Sequence, residues 1–148
     1  MDLEEILRPE YMTLDLRASD KESAIRELIS LLAKSGTVSD ESAMFDAVMH
    51  RESEFSTGIG MGIAIPHAKC EWAAKPAVAF GRKSGSITWT GEETTEVNLI
   101  FLIAVPMESQ NQHLKLIAAI SRKLVHEEVR RKILGADDVQ GVIGALKS

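Results

Sequence analysis

The sequence holds little of what several classes of protein require. It has one cysteine, Cys70, among 148 residues, which excludes an intramolecular disulfide, and its first residues lack the basic and then apolar pattern of a signal peptide. The longest apolar run, residues 99–105, falls far short of the ~20 residues that a membrane-spanning helix needs. We therefore expect a cytoplasmic protein that does not insert into a membrane.

Basic charge and aromatic side chains are also scarce. The net charge is −5, and the only aromatic residues are four Phe, two Trp and one Tyr. Because nucleic-acid surfaces combine clustered Lys or Arg with stacking rings, we expect no nucleic-acid partner. The length and a hydrophobic content of 45% suit one buried core, so residues 1–148 are interpreted as one domain.

Hydrophobic periodicity in the first third of the chain predicts a strand and two helices. Residues 12–16 alternate between apolar and polar side chains, as a half-buried strand does. A capping box at residues 19–22 opens an apolar stripe at helical spacing. Ser39 or Asp40 can cap a second helix, which ends near Arg51.

The remainder of the chain predicts further strands and then helices. Four apolar segments suit strands, and they are residues 63–65, 76–80, 87–89 and 97–105. A capping box at residues 109–112 opens a helix, and two more helices are predicted at residues 127–134 and 139–146. The pattern predicts an α/β fold: a mixed five-stranded β-sheet flanked by α-helices on both faces.

The segment at residues 53–62, SEFSTGIGMG, is rich in glycine and leads through an apolar stretch to Pro66 and His67. A dinucleotide fingerprint needs a strand before the glycines and a helix after them, and a P-loop needs a Lys-Ser or Lys-Thr pair. Neither is present, although such glycines can let backbone N–H groups approach a small anion. We predict a loop and then a strand that presents His67 at its end.

His67 is the candidate functional residue. A zinc site gathers three or four ligands at tight spacing, and one cysteine with scattered histidines does not supply them, so we expect no metal and no cofactor. A hydrolase that pairs His67 with Cys70 lacks a third orienting group. The residues alone leave His67 open between a functional nucleophile and a packed histidine.

Other residues can be placed around His67. His113 lies in the first turn of a predicted helix, where the helix dipole disfavours a protonated imidazole. A phosphoryl acceptor needs a neutral nucleophilic nitrogen, hydrogen-bond donors and a balancing cation, and His113, Arg51 and the glycine-rich loop offer these if the fold brings them together. His50 and His126 are interpreted as surface or helix-end residues.

The order of these motifs resembles a known family. RE at residues 51–52, STGIG at 56–60, GIAIPH at 62–67 and HL at 113–114 are similar to the enzyme IIA domain of the fructose/mannitol type in the bacterial phosphoenolpyruvate-dependent sugar phosphotransferase system (PTS). The likeness spans nearly the whole chain. KPAVAFG at residues 75–81 resembles the fructose branch more than the nitrogen-regulatory branch, as does LIFLIAVP at 99–106.

The resemblance implies a phosphohistidine at His67, on Nε2. It implies phospho-HPr as the donor and a cysteine of enzyme IIB as the acceptor, either alone or together with a membrane enzyme IIC. Arg51 matches a position that supports the phosphohistidine by charge, and His113 one that supports it by hydrogen bonding. The loop that lines the site is matched by Ser56, Thr57 and Gly58.

Three functions remain open from the sequence. The first is phosphoryl transfer for the uptake of a fructose-type sugar. The second is a nitrogen-regulatory protein that uses the same phosphohistidine and signals by binding other proteins. The third is an interaction domain without phosphorylation, which a buried, inaccessible His67 would favour.

Overall fold

A computed structural model describes residues 3–90, 95–109 and 111–148. The helices within these ranges are α1 (Leu3–Ile6), α2 (Lys21–Lys34), α3 (Glu41–Glu54), α4 (Gln112–Leu124), α5 (Glu127–Leu134) and α6 (Val139–Lys147), with a 3-10 turn at Pro9–Tyr11. The strands are β1 (Met12–Thr13), β2 (Gly58–Gly60), β3 (Ile63–Ala64), β4 (His67–Cys70), β5 (Ala77–Thr88) and β6 (Glu96–Pro106). None of the described helices is long and apolar enough to cross a bilayer.

The strands form one mixed sheet around β6. β5 pairs with β6 in the antiparallel sense, and β1 lies parallel to β5 on its outer side. On its other side β6 pairs in parallel with two successive short strands, first β3 and then β4. β2 pairs with β3 only, and β4 pairs with β6 only, so β4 has an open edge within the described part of the chain.

The sheet separates two hydrophobic cores. Ala77 and Ala79 of β5 face α2 and α3, whereas Val78 and Phe80 face α1, α4, α5 and α6. β6 is buried along both faces, as its continuous apolar run predicts. The predicted mixed α/β fold with helices on both faces is confirmed.

Local capping residues determine where the helices begin. The Asp20 side chain accepts a hydrogen bond from Ser23 N–H (2.8 Å), and Asp40 accepts one from Ala43 N–H (3.0 Å). The first of these caps lies one residue after the Ser19 that the capping box predicts. Asn111 is the N-cap of α4, so the predicted box with Ser109 as the cap does not form, and its second residue lies outside the described ranges.

The segmentation of the strands differs from the prediction. The two strands predicted at residues 76–80 and 87–89 are merged in the single strand β5 (Ala77–Thr88), because the polar residues between them are absorbed by a register shift in which Gly85 adopts φ +88°. The glycine-rich loop contributes β2, and β4 is an additional strand, so the described sheet has six strands. β1 is shorter than predicted, although Leu16 N–H still donates to Arg82 O.

Candidate functional site

His67 is the first residue of β4 rather than the last residue of the strand before it. Pro66 has no N–H and interrupts the strand pairing along β6, so β3 ends at Ala64 and β4 begins one residue after the proline. Pro66 O accepts a hydrogen bond from Ile103 N–H (2.9 Å), which fixes the break against β6. The chain therefore presents His67 at an open sheet edge, between α3 and α4.

The imidazole of His67 is held through one nitrogen. Nδ1 lies 3.0 Å from the backbone oxygen of Ile65, which is an acceptor only, so Nδ1 carries the proton and Nε2 the lone pair of a neutral ring. Nε2 makes no hydrogen bond with any described residue. The nitrogen with the free lone pair is thus the one that can act as a nucleophile.

His67 lines a pocket of about 300 Å³. The pocket is formed by residues of α3, β4 and the start of α4, which are Ala47, His50, Arg51, His67, Ala68, Lys69 and His113. No carboxylate is among these lining residues, although the whole chain carries a net charge of −5. The pocket therefore has a local excess of positive charge and suits an anion.

His113 stands beside His67. It is the second residue of α4, and the two ring centroids are 6.1 Å apart with the planes tilted by 34°. The Nδ1 atom of His113 is buried and has no hydrogen-bond partner within the described ranges. Two imidazoles at this separation can both face one small group bound between them.

Both histidines are held in the neutral form. Burial lowers the pKa of His67, and the Arg51 guanidinium lowers it as well, while the hydrogen bond to Ile65 and the charge of Glu52 act in the opposite direction. Burial also lowers the pKa of His113, and so does repulsion from the His67 ring when that ring is protonated and from the Lys69 ammonium group. At neutral pH the two rings are therefore uncharged.

Two cations extend into the same region from different elements. Arg51, near the end of α3, donates a hydrogen bond from Nη1 to Phe55 O (3.0 Å), which anchors its guanidinium beside the loop. The side chain of Lys69, two residues after His67 on β4, makes no hydrogen bond or ion pair with any described residue. Lys69 is thus a half-buried residue whose ammonium group has no anionic partner among the described residues.

The loop residues Ser56, Thr57 and Gly58 lie behind His67 and are not among the described lining of the pocket. Thr57 is buried, and Ile65 N–H donates to its backbone oxygen (3.0 Å). The exposed Ser56 hydroxyl accepts a hydrogen bond from Gly58 N–H (3.2 Å). The loop therefore supports the segment that carries His67.

The glycines of this segment have separate structural causes. A Cβ atom at Gly58 would lie 3.0 Å from Thr95 Cγ2 and 3.3 Å from Trp89 Cδ1, so the absence of a side chain allows close packing. Gly60 (φ +86°), Met61 (φ +58°) and Gly62 (φ +78°) form the left-handed turn between β2 and β3. The described geometry thus explains the spacing of the glycines through a turn and close packing.

The structure brings His67, His113 and Arg51 together, and it adds two residues that sequence reasoning missed. His50 is exposed, as predicted, but it also lines the pocket from the residue before Arg51. Lys69 follows His67 by two residues, and alternate residues of a strand share a face. This spacing of two residues in the sequence indicates that Lys69 shares a face with His67. No group of three potential metal ligands exists among the described residues.

The fold and the pocket define a small α/β domain that presents a neutral imidazole among cationic side chains. The chain belongs to the family described as "Phosphoenolpyruvate-dependent sugar phosphotransferase system, EIIA 2", whose model matches residues 5–148. It is therefore a phosphotransferase component of the sugar PTS type.

Curated relatives cover most of the chain. A PTS system fructose-specific EIIA component of Haloferax volcanii is 40% identical over 141 residues, which are 95% of this chain and 92% of the relative. A fructose-specific EIIABC component of Bacillus subtilis is 36% identical over 143 residues, 97% of this chain but only 22% of that longer protein. A nitrogen regulatory protein of Bradyrhizobium diazoefficiens is 30% identical over 146 residues, 99% of this chain and 95% of the relative.

Solved structures of the same fold include both branches of the family. The nitrogen regulatory protein IIA-Ntr of Neisseria meningitidis has a TM-score of 0.87 and 25% identity, over 96% of this chain and 97% of that one. The IIA mannitol protein of Escherichia coli has a TM-score of 0.81 and 28% identity, over 95% of this chain and 98% of that one. A complex of Escherichia coli enzyme IIAMtl with phosphorylated enzyme IIBMtl matches with a TM-score of 0.82 and 27% identity, over 95% of this chain and 96% of the matched chain.

Proposed function

We propose that Nε2 of His67 accepts a phosphoryl group from phospho-HPr and passes it to a cysteine of an enzyme IIB during uptake of a fructose-type sugar. In the first step the Nε2–P bond forms while the bond between phosphorus and the donor breaks. In the second step an S–P bond forms with the cysteine thiolate while the Nε2–P bond breaks, and the imidazole returns to its neutral state.

The observation that carries this proposal is the free lone pair of His67 inside a pocket of positive charge. The Ile65 carbonyl occupies the Nδ1 side of the ring, so the nucleophilic nitrogen is Nε2. Burial keeps the pKa of the ring low, which maintains the neutral form that attack on phosphorus requires.

Arg51 and Lys69 balance the charge of the phosphoryl group. Both line the pocket, and no carboxylate among its lining residues competes for them. A preorganised cation of this kind stabilises charge on the oxygens that move during transfer. Ser56, Thr57 and Gly58 act from behind the pocket, through the loop that supports His67.

His113 donates a hydrogen bond to a phosphoryl oxygen. Its Nδ1 atom is buried without a partner in the described structure. Because an unpaired buried acceptor is tolerated more readily than an unpaired buried N–H, we assign the proton of the neutral ring to Nε2. That N–H is then available to the group bound between His113 and His67.

Similarity to known proteins supports the partners and the sugar class. The Haloferax volcanii relative is named as fructose-specific, and so is the longer Bacillus subtilis protein. The structure of IIAMtl with phosphorylated IIBMtl supports an enzyme IIB as the acceptor. Exposed Met107 and Leu114, which follow β6 and His113, offer apolar surface for a docking protein.

Incubation with phosphoenolpyruvate, enzyme I and HPr tests the proposal. We expect one acid-labile phosphoryl group, detected by intact-protein mass spectrometry, which is absent from His67→Gln. The matched control is His126→Gln, because His126 is exposed and does not line the pocket. Phosphorylation of His67→Gln, or loss of phosphorylation in both variants, would contradict the assignment.

A nitrogen-regulatory role is the second candidate. It is favoured by the similarity to the Neisseria meningitidis and Bradyrhizobium diazoefficiens proteins. The two roles share the phosphohistidine and differ in the next step. Mixing the phosphorylated protein with a fructose enzyme IIB should transfer the label to the IIB cysteine within minutes if the role is transport, whereas a regulatory protein should retain it.

A further inference from the structure

Glu52 is a buried acidic residue that takes no part in lining the pocket. It follows Arg51 on α3, but its side chain is only 2% exposed and faces inward. The other buried polar side chains in the described ranges are Thr37 and Thr57. Because an ionised carboxylate in a protein interior is costly unless it is paired and hydrogen-bonded, a carboxylate at this position needs several donors.

Those donors come from three separate parts of the chain. Lys21 Nζ, at the start of α2, lies 2.7 Å from Glu52 Oε1. Trp89 Nε1, just after β5, donates to the same oxygen (3.1 Å). The Thr57 backbone N–H donates to Oε1 (3.2 Å), and the Thr57 hydroxyl donates to Oε2. Glu52 therefore ties the glycine-rich loop to the core through both groups of Thr57.

A short series of hydrogen bonds continues from Thr57 to the imidazole. The backbone oxygen of Thr57 accepts a hydrogen bond from Ile65 N–H (3.0 Å). The backbone oxygen of Ile65 is the atom that faces Nδ1 of His67 at 3.0 Å. Ile65 lies between β3 and β4, next to Pro66, where the strand pairing is interrupted. The hydrogen bond to Thr57 O therefore sets the orientation of the Ile65 backbone where it faces the glycine-rich loop.

We propose that Glu52 is a positioning residue for His67: through Thr57 it fixes the Ile65 carbonyl against Nδ1 and so keeps the lone pair on Nε2. Glu52 does not touch the phosphoryl group. It acts through three consecutive hydrogen bonds, and Lys21 and Trp89 hold its carboxylate in place from the opposite side. The consequence for phosphoryl transfer rests on the function proposed above, whereas the consequence for the tautomer of His67 does not.

The test compares Glu52→Gln with Glu54→Gln. Glu54 lies two residues further along α3 and is exposed, so the same chemical change there controls for the loss of a charge. Long-range ¹H–¹⁵N NMR spectra report the tautomer of His67. We expect one tautomer, protonated at Nδ1, in the wild type and in Glu54→Gln, and a mixture of the two tautomers in Glu52→Gln.

Phosphoryl uptake gives the second measurement. At saturating phospho-HPr, Glu52→Gln should lower the rate about tenfold with little change in the KM for phospho-HPr, which is the low end of the roughly 10–100-fold losses seen when groups that orient metal-bound imidazoles are removed. If the wild type accepts no phosphoryl group, the proposed function fails and the NMR comparison still decides the role of Glu52.

A second pair of variants covers the case in which Glu52→Gln does not fold. Thr57→Val removes the hydroxyl that donates to Glu52, and Thr57→Ser keeps it. A shifted tautomer balance in Thr57→Val that is restored in Thr57→Ser supports the proposal. An unchanged His67 tautomer in folded Glu52→Gln, or equal spectra for the two Thr57 variants, overturns it.

Discussion

Replacement of Lys69 by methionine is expected to slow phosphoryl uptake by His67 about tenfold while leaving the stability of the fold almost unchanged. Lys69 is half-buried on β4 and lines the pocket, and its ammonium group pairs with no described residue. Methionine keeps a long apolar side chain against the strand. The substitution therefore removes the charge without breaking any hydrogen bond or ion pair of the described residues.

The magnitude follows from the setting of the ammonium group. A hydrogen bond to a charged group is worth about 1.5–3 kcal/mol, and about 1.4 kcal/mol corresponds to a factor of ten in rate. Lys69 remains partly open to water, so the lower end of that range applies. The unfolding free energy should change by no more than about 0.5 kcal/mol, as for other surface substitutions that break no contact.

Rapid-quench measurement of uptake from phospho-HPr, combined with thermal unfolding, checks both expectations. Lys34→Met is the matched control, because Lys34 is exposed at the end of α2 and does not line the pocket. An unchanged rate in Lys69→Met would show that the Lys69 ammonium group does not stabilise the transferred phosphoryl group. An equal loss in Lys34→Met shows that overall charge is responsible, and a large loss of stability shows a structural role for Lys69.

Three further predictions concern the same region. Because burial lowers the pKa of His67 from its ordinary value of 6.5, the midpoint of the pH dependence of uptake should lie below pH 6.5, and a midpoint at or above that pH contradicts the assignment. Below pH 6.5 the unfolded chain binds a proton that the folded ring does not, so the unfolding free energy should fall with falling pH, less steeply in His67→Gln. Arg51→Gln should lower the uptake rate about a hundredfold, because it removes a donor that stabilises charge during transfer, while the circular dichroism spectrum stays native. A rate within about twofold of wild type would exclude a charge-stabilising role for Arg51. Gly62→Ala and Gly36→Ala should each destabilise the protein by about 1–2 kcal/mol in urea unfolding, because both glycines adopt a positive φ and the Asn98 side chain can turn away from a Cβ at position 62; no loss at either position would exclude this strain.

The helices were predictable because their signals are local. Asp20 and Asp40 supply side-chain caps, and apolar residues at helical spacing bury one face of α2. The strands were less predictable, since a proline at position 66 and a left-handed glycine at position 85 break the pattern in different ways. Pro66 divides one strand into two, whereas Gly85 is absorbed within a single strand.

The pocket was predictable only in part, because some of its contacts join residues that are distant in sequence. His67, His113 and Arg51 each carry a local signal, such as a strand break or a helix end, and the fold places them together. The role of Glu52 depends on Lys21 and Trp89, which are distant in sequence and meet it on the side of the sheet that packs against α2 and α3. No pattern within a short window of sequence contains that information.

NMR can identify which nitrogen of the His67 imidazole carries the phosphoryl group. The protein is labelled with ¹⁵N in histidine, phosphorylated through enzyme I and HPr, and observed by long-range ¹H–¹⁵N NMR at neutral pH. We expect phosphorus to be bonded to Nε2 of His67 and Nδ1 to keep its proton, directed at Ile65 O. Phosphorus on Nδ1, or on any other residue, would contradict this assignment.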